Sequence, residues 1–219
     1  MLTAPGGSGG ILFLEDFSSP DLSLNWIFYG DPPPVTIDSL GVPPPCFCNR
    51  GDGDRHSGVI SREVFPVGPG FFLEADMYVT CLSRGTWVDA CMELITPGAR
   101  SDDTSDDNFS IASMGLSYSG ELDWNCPHRQ GVLDMICRSD RRTRFSDLRI
   151  HQNGLLDSWH TYRMEINDDL TVSYFVDDSL FCLSPIAIPD TCTGVRIRLG
   201  NRSSQWGAAL HDNLRVGRR

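Results

Sequence analysis

The chain contains no lysine; all eighteen of its basic residues are arginine. That absence excludes Schiff-base and Ser-Lys chemistry, both of which need an amine. Long hydrophobic runs are missing too. The longest candidate, "SLFCLSPIAIP" (179–189), is broken by Pro185 and falls well short of the eighteen or so residues that read as a membrane span. Helical periodicity is nearly absent, since no stretch of about twelve residues repeats apolar positions at i, i+3, i+4 and i+7. Positive charge is scarce: eighteen cations face twenty-nine acids, for a net charge of −11. This balance argues against a nucleic-acid backbone as partner and favours a neutral or cationic partner, or a bound cation. The start, "MLTAPGGSGG", has no positive or apolar segment of the signal-peptide kind and is expected to be a flexible leader over residues 1–10.

Alternation takes the place of helical pattern. In "FFLEADMYV" (71–79), Leu73, Ala75, Met77 and Val79 share one face, with Glu74 and Asp76 on the other. In "GTWVDACMELI" (85–95), Val88, Ala90, Met92 and Leu94 share one face, with Trp87, Asp89, Cys91 and Glu93 opposite. Residues 160–166, 170–178, 194–200 and 211–216 read as further strands. Twenty-one glycines and fourteen prolines supply the turns between them. Three segments read as irregular loops: residues 41–58 with the preceding "YGDPPP", residues 96–108, and the arginine-rich "RSDRRTR" (138–144). The expected fold is all-β, a two-sheet antiparallel sandwich or jelly roll over residues 11–219.

Eight cysteines, an even count, suggest disulfides and an oxidising, secreted or cell-surface setting. Cys81 with Cys91, Cys126 with Cys137, and Cys182 with Cys192 stand ten or eleven residues apart, a spacing that suits neighbouring hairpin strands; Cys46 and Cys48 complete the set. A zinc site at Cys46 and Cys48 is the competing reading, but no histidine stands at ligand spacing.

Three stretches carry a family resemblance. "ILFLEDFSSPDLSLNW" (11–26), "DSWHTYRMEINDDLTVSYFVDD" (157–178) and "LHDNLRV" (210–216) resemble, in order, the opening strand, late hairpin and closing strand of concanavalin A-like jelly rolls. Within that superfamily, "GTWVDACMEL" and "SGELDWNC" (119–126) are similar to the G-T-W-P-A-x-W and G-E-I-D-x-x-E strands of laminarinase-type glycoside hydrolases of family 16. The resemblance implies Glu121 as nucleophile and Asp123 as its orienting partner. It places the acid/base on Asn125 or Cys126, neither of which can protonate a leaving group. The motif is therefore degenerate for catalysis.

Strand parity puts Trp87, Asp89, Glu93, Glu121, Asp123 and Asn125 on one candidate groove. An aromatic ring among polar groups there would suit a glycan. The same parity turns Trp124 inward. The resemblance also implies a structural Ca²⁺ where the first and last strands meet, with Asp16 and Asp212 as matching acids. Arg138, Arg141, Arg142 and Arg144 read either as a solvated run or as a site for sulfate or uronate. The Arg50-Gly51-Asp52 tripeptide and the sequons at Asn108 and Asn201 are minor signals. The expectation is a non-catalytic, extracellular glycan- or polysaccharide-binding module stabilised by calcium. A glycosidase acting on a β-glucan and a self-assembling surface protein are the alternatives.

Overall fold

The computed structural model describes residues 10–219 apart from 20, 31, 32, 34, 38, 50–55, 82–86, 99–109, 120–129, 141, 153 and 204–206. Sixteen strands, numbered in chain order, form two antiparallel sheets among the described residues. The first sheet runs β14 (Ser179–Ala187), β13 (Thr171–Val176), β12 (Trp159–Ile166), β7 (Phe71–Cys81), β16 (Gly207–Arg218), β4 (Cys46–Asn49), β3 (Val35–Ile37), and β1 (Gly10–Glu15) also pairs with β16. The second runs β11 (Arg144–Gln152), β10 (Gln130–Arg138), β9 (Ser110–Ser119), β8 (Trp87–Ile95), β15 (Gly194–Ser203), β5 (His56–Ser61), β2 (Trp26–Tyr29), with β6 (Phe65–Pro66) on β15.

The core lies between the sheets, and alternation decides which side chains enter it. Leu73, Ala75, Met77 and Val79 of β7 meet Val88, Ala90, Met92 and Leu94 of β8, and all eight are buried. Tyr162, Met164, Val172, Tyr174, Ile197 and Leu199 join them. A slip of one residue would turn each apolar row to the outer faces, so this burial fixes the register of both sheets.

Local chemistry sets the connections. Asp177 and Asp178 both have positive φ, 49° and 61°, at the centre of the two-residue turn that joins β13 to β14. Such turns match the twist of the flanking strands, and Asp tolerates the left-handed region better than most residues. At the β10–β11 turn the Asp140 carboxylate accepts from the backbone N–H of Arg142 (2.6 Å) and Thr143 (2.8 Å). At the opening, buried Glu15 accepts from the Phe17 backbone (3.0 Å), Asn25 Nδ2 (3.0 Å) and Trp26 Nε1 (3.1 Å). This explains the acid-Phe…Trp spacing: a carboxylate satisfies the one polar atom of a fully buried indole.

Several expectations are corrected. Residues 41–58 are not one loop, because Cys46–Asn49 forms β4 and β5 begins at His56. The Cys-Phe-Cys alternation is the cause: Phe47 enters the core, while Cys46 and Cys48 pack with Ala208 and Leu210 in a second cluster. The hairpin argument for pairing Cys81 with Cys91 fails, since β7 and β8 belong to different sheets. Among the described cysteines, Cys46, Cys137, Cys182 and Cys192 carry free thiols. Cys182 hydrogen-bonds Asp147 and Cys192 the Gly194 carbonyl, so these two do not pair with each other. Burial, with Cys48 and Asp212 nearby, pushes the Cys46 thiol up to about 12, which opposes the thiolate that zinc requires. Cys126 lies outside the described residues, as does the side chain of Cys81.

His211 of β16 is fully buried beside Phe47, ring centroids 5.9 Å apart, and neither ring nitrogen has a hydrogen-bond partner. Burial lowers its pKa from 6.5 to about 4, the neighbouring Cys91 backbone opposing. The unfolded chain therefore takes up this proton before the folded one. The associated stability is intact above about pH 6.5 and is lost as pH falls toward 4. Denaturant titrations should show a loss of about 2 kcal/mol between pH 7.5 and pH 5 from this group. His211→Leu should flatten that slope; an unchanged slope would place the acid sensitivity elsewhere.

Candidate functional site

The face of the second sheet that points away from the core is the candidate groove. Its floor can be read from the strand register. Gly58 of β5 pairs with Gly200 of β15, Gly200 with Cys91 of β8, Cys91 with Gly115 of β9, and Gly115 with Asp134 of β10. Four of these five positions across the sheet are glycine or cysteine, so side-chain bulk is at a minimum along this row. One row further, Ile60, Arg198, Glu93, Ser113 and Ile136 follow in the same order.

Tyr29 of β2 lies over one end of the floor. A Cβ on Gly200 would stand 2.6 Å from the Tyr29 hydroxyl, and one on Gly58 2.8 Å from it. The two glycines therefore make room for the phenol, which is packed with Ile60 and Ile95. Burial raises its pKa well above 10, and Arg198 opposes that shift. Beside it, Arg198 donates from Nε to the Glu93 carboxylate in an ion pair with both side chains almost entirely buried. Burial disfavours the Arg198 charge, but the Glu93 carboxylate outweighs it and the pKa is raised. Arg198 thus stays charged and donates to Glu93.

The structure places the sequence candidates unevenly. Glu93 is on the groove face as expected, but held by Arg198. Trp87 and Asp89 are strand residues of β8 that alternate with buried Val88 and Ala90; their side chains are outside the described ones. Glu121, Asp123 and Asn125 lie outside the described residues, as does Trp124. The described part of the strand that pairs with β8 ends at Ser119. Its residues opposite Glu93, Cys91 and Asp89 are Ser113, Gly115 and Ser117, none of them titratable.

On the other sheet, Asp212 is buried and its Oδ2 accepts from the Val42 backbone (2.7 Å), its Oδ1 from the Asn213 backbone (2.8 Å). Asp76 stands directly opposite across β7 and β16. Burial raises the Asp212 pKa; the two N–H groups oppose, while Asp76 and Asp16 add to the rise. Asp16 is exposed and accepts from the Ser18 backbone (3.0 Å). Among the described residues no three His, Cys, Asp or Glu side chains converge as a metal cluster.

Residues missed by sequence reading are Tyr29, Gly58, Gly115, Arg196 and Arg198. Arg196 and Arg198 had a legible signal: "GVRIRLG" alternates arginine with the buried Val195, Ile197 and Leu199.

No family model matches the chain, and no curated protein matches it. Solved structures do. LamA from Z. galactanivorans, in complex with laminaritriose and laminaritetraose, superposes with a TM-score of 0.60 at 12% identity, over 95% of this chain and 98% of that one. The T. cruzi calreticulin globular domain gives 0.67 at 10% identity, over 96% and 88%. A family 16 glycoside hydrolase from Bacteroides ovatus, in complex with a mixed-linkage glucan product, gives 0.62 at 11% identity, over 94% and 100%. The fold is therefore the concanavalin A-like jelly roll, shared with these glycoside hydrolases and with the calreticulin globular domain.

Glu93→Gln should strand the Arg198 charge in a buried site. The expected loss is about 3 kcal/mol or more, which is roughly 6–12 °C in melting temperature for a chain of this size. The double replacement with Arg198→Met should recover most of it. A single variant with unchanged melting temperature would show the pair to be energetically idle.

Proposed function

We propose that the chain is an extracellular glycan-binding jelly roll whose groove is the outer face of the second sheet. The observation that carries this reading is the small-residue floor, Gly58–Gly200–Cys91–Gly115, bordered by the charged pair Glu93–Arg198 and by Asp134. Tyr29 fills the space over Gly58 and Gly200, and the low-bulk floor beyond it at Cys91 and Gly115, edged by hydrogen-bonding groups, suits a polyhydroxylated chain laid across the strands. LamA was solved with laminari-oligosaccharides on the same fold, and Emp47p is solved as a carbohydrate recognition domain. Secretion belongs to this proposal; among the described residues no helix is long and apolar enough to cross a membrane.

The reading is non-catalytic. Glycoside cleavage by the usual retaining route needs two carboxyl groups about 5–5.5 Å apart, one of them protonated. Ser113, Gly115 and Ser117 supply none from the strand beside β8, and Glu93 is committed to Arg198. Glu121 and Asp123 keep the hydrolase reading as the alternative.

Calcium is proposed as the stabilising ion near Asp212. Asp212 is buried directly opposite Asp76, and the unfavourable effect of Asp76 and Asp16 on the Asp212 carboxylate is one that a divalent cation relieves. Carboxylates are hard oxygen donors of the type calcium takes, with backbone carbonyls completing the shell.

A glycan array that includes β-1,3 and mixed-linkage glucans tests the function. Binding to at least one neutral glycan is expected, reduced about tenfold in Trp87→Ala, the scale of a lost stacking contact in a groove. Absence of binding across the array removes the proposal. Release of reducing ends, abolished in Glu121→Gln, would replace it with the hydrolase. For calcium, a chelator should lower the melting temperature and Asp212→Asn should abolish that response; an indifferent wild type rules the ion out.

A further inference from the structure

Arg138 is 7% exposed, yet its Nε is buried without a hydrogen-bond partner, and no ion pair among the described residues answers it. By alternation with core-facing Leu133, Met135 and Cys137, it belongs to the groove side of β10. Arg144, exposed, pairs directly opposite it across β10 and β11, so two like charges stand side by side. Arg196 of β15 repeats the condition: its Nε is likewise buried and unpartnered. It pairs with Ile95 of β8, which pairs with Ser110 of β9, and Arg138 follows the Cys137–Ala112 pair. All three arginines therefore stand at the same end of the second sheet. Arg138 and Arg196 are three strand spacings apart, roughly 14 Å.

A guanidinium taken out of water without a partner is among the most costly arrangements a fold can hold. Arg138 is buried with an unanswered Nε, and Arg196, half-buried, repeats the unanswered Nε at the same end of a ligand-facing sheet; with a third charge beside them, this arrangement favours an anion. Arginine matches carboxylate and sulfate oxygens in a bidentate fork. A cavity of about 530 Å³ adjoins these strand ends, lined by Thr96, Pro97, Ile111, Thr193 and Gly194 among others, uncharged groups that fit the body of a sugar ring.

We propose that the groove is selective for an anionic glycan, and that Arg138 and Arg196 receive its sulfate or carboxylate groups, with Arg144 contributing at the rim. This rests on the glycan-binding reading above and names the ligand class. The net charge of −11 sharpens it. A polyanion gains nothing from long-range attraction to this chain, so its recognition has to be local and directional.

The experiment compares a sulfated galactan oligosaccharide, its desulfated counterpart and an oligogalacturonate by calorimetric titration. The wild type should bind at least one anionic probe about tenfold or more tightly than the desulfated one, the scale of a charge-assisted contact. Arg138→Gln and Arg196→Gln should each erase most of that preference. Equal affinity for charged and uncharged probes overturns the inference and leaves glycan binding standing. Binding to no probe, neutral or charged, overturns both. A stability measurement guards against misfolded variants. In ligand-free protein, Arg138→Met should hold or raise the melting temperature, because it deletes an unanswered charge. A fall would show that the charge is already paired within the chain and would overturn the inference.

Discussion

The burial of one face of β8 against β7 and β16 is the constraint from which the rest follows. Val88, Ala90, Met92 and Leu94 are fully enclosed, so the residues between them have no choice of side. That single register sets Glu93 against Ser113 and Arg198, and Cys91 against Gly115 and Gly200. It also explains why the groove floor is poor in side chains. Tyr29 must lie across β5 and β15 to cover Ile60 and Ile95, and only glycine at 58 and 200 leaves it room. Packing on the inner face and the shape of the outer face are thus two consequences of one alternation.

The legibility of the sequence followed the same physics. Strands with one buried and one wet face announced themselves: residues 71–79 alternate Leu, Ala, Met and Val with Glu and Asp, and the structure buries them as expected. Residues 110–119 did not. Ser110, Ala112, Ser113 and Gly115 are small, and positions 110–116 are buried on both faces, so no contrast marks the strand. The charged segment just beyond its end carries the visible contrast instead. Cysteine spacing misled for a related reason, because separation in sequence carries no information about which sheet a strand joins. β7 and β8 are consecutive, yet they face each other across the core.

At the opening motif the acid that matters structurally is Glu15, one residue before the one the resemblance selected. Asp16 is exposed, whereas Glu15 is buried and satisfies Trp26. Alternation predicts that adjacent acids point to opposite sides, but not which side a carboxylate will accept. The indole N–H decides it, since a buried donor without an acceptor costs more than a carboxylate that is drawn in and given three hydrogen bonds.

The arginines show the limit of composition as a guide. The run 138–144 reads as one charged loop, yet the structure divides it: Asp140 organises the turn, Arg142 and Arg144 reach solvent, and Arg138 is drawn into β10. The three described charges, Arg138, Arg142 and Arg144, therefore differ in what water does for them. A solvated arginine has its hydration and needs no partner; a buried one has lost it and must be answered by something. Glu93 answers Arg198, and Glu74 is shared between Arg163 and Arg215 on the opposite sheet. Set beside those answered charges, Arg138 and Arg196 form no ion pair among the described residues, and it is on this difference that the proposal of an anionic ligand rests.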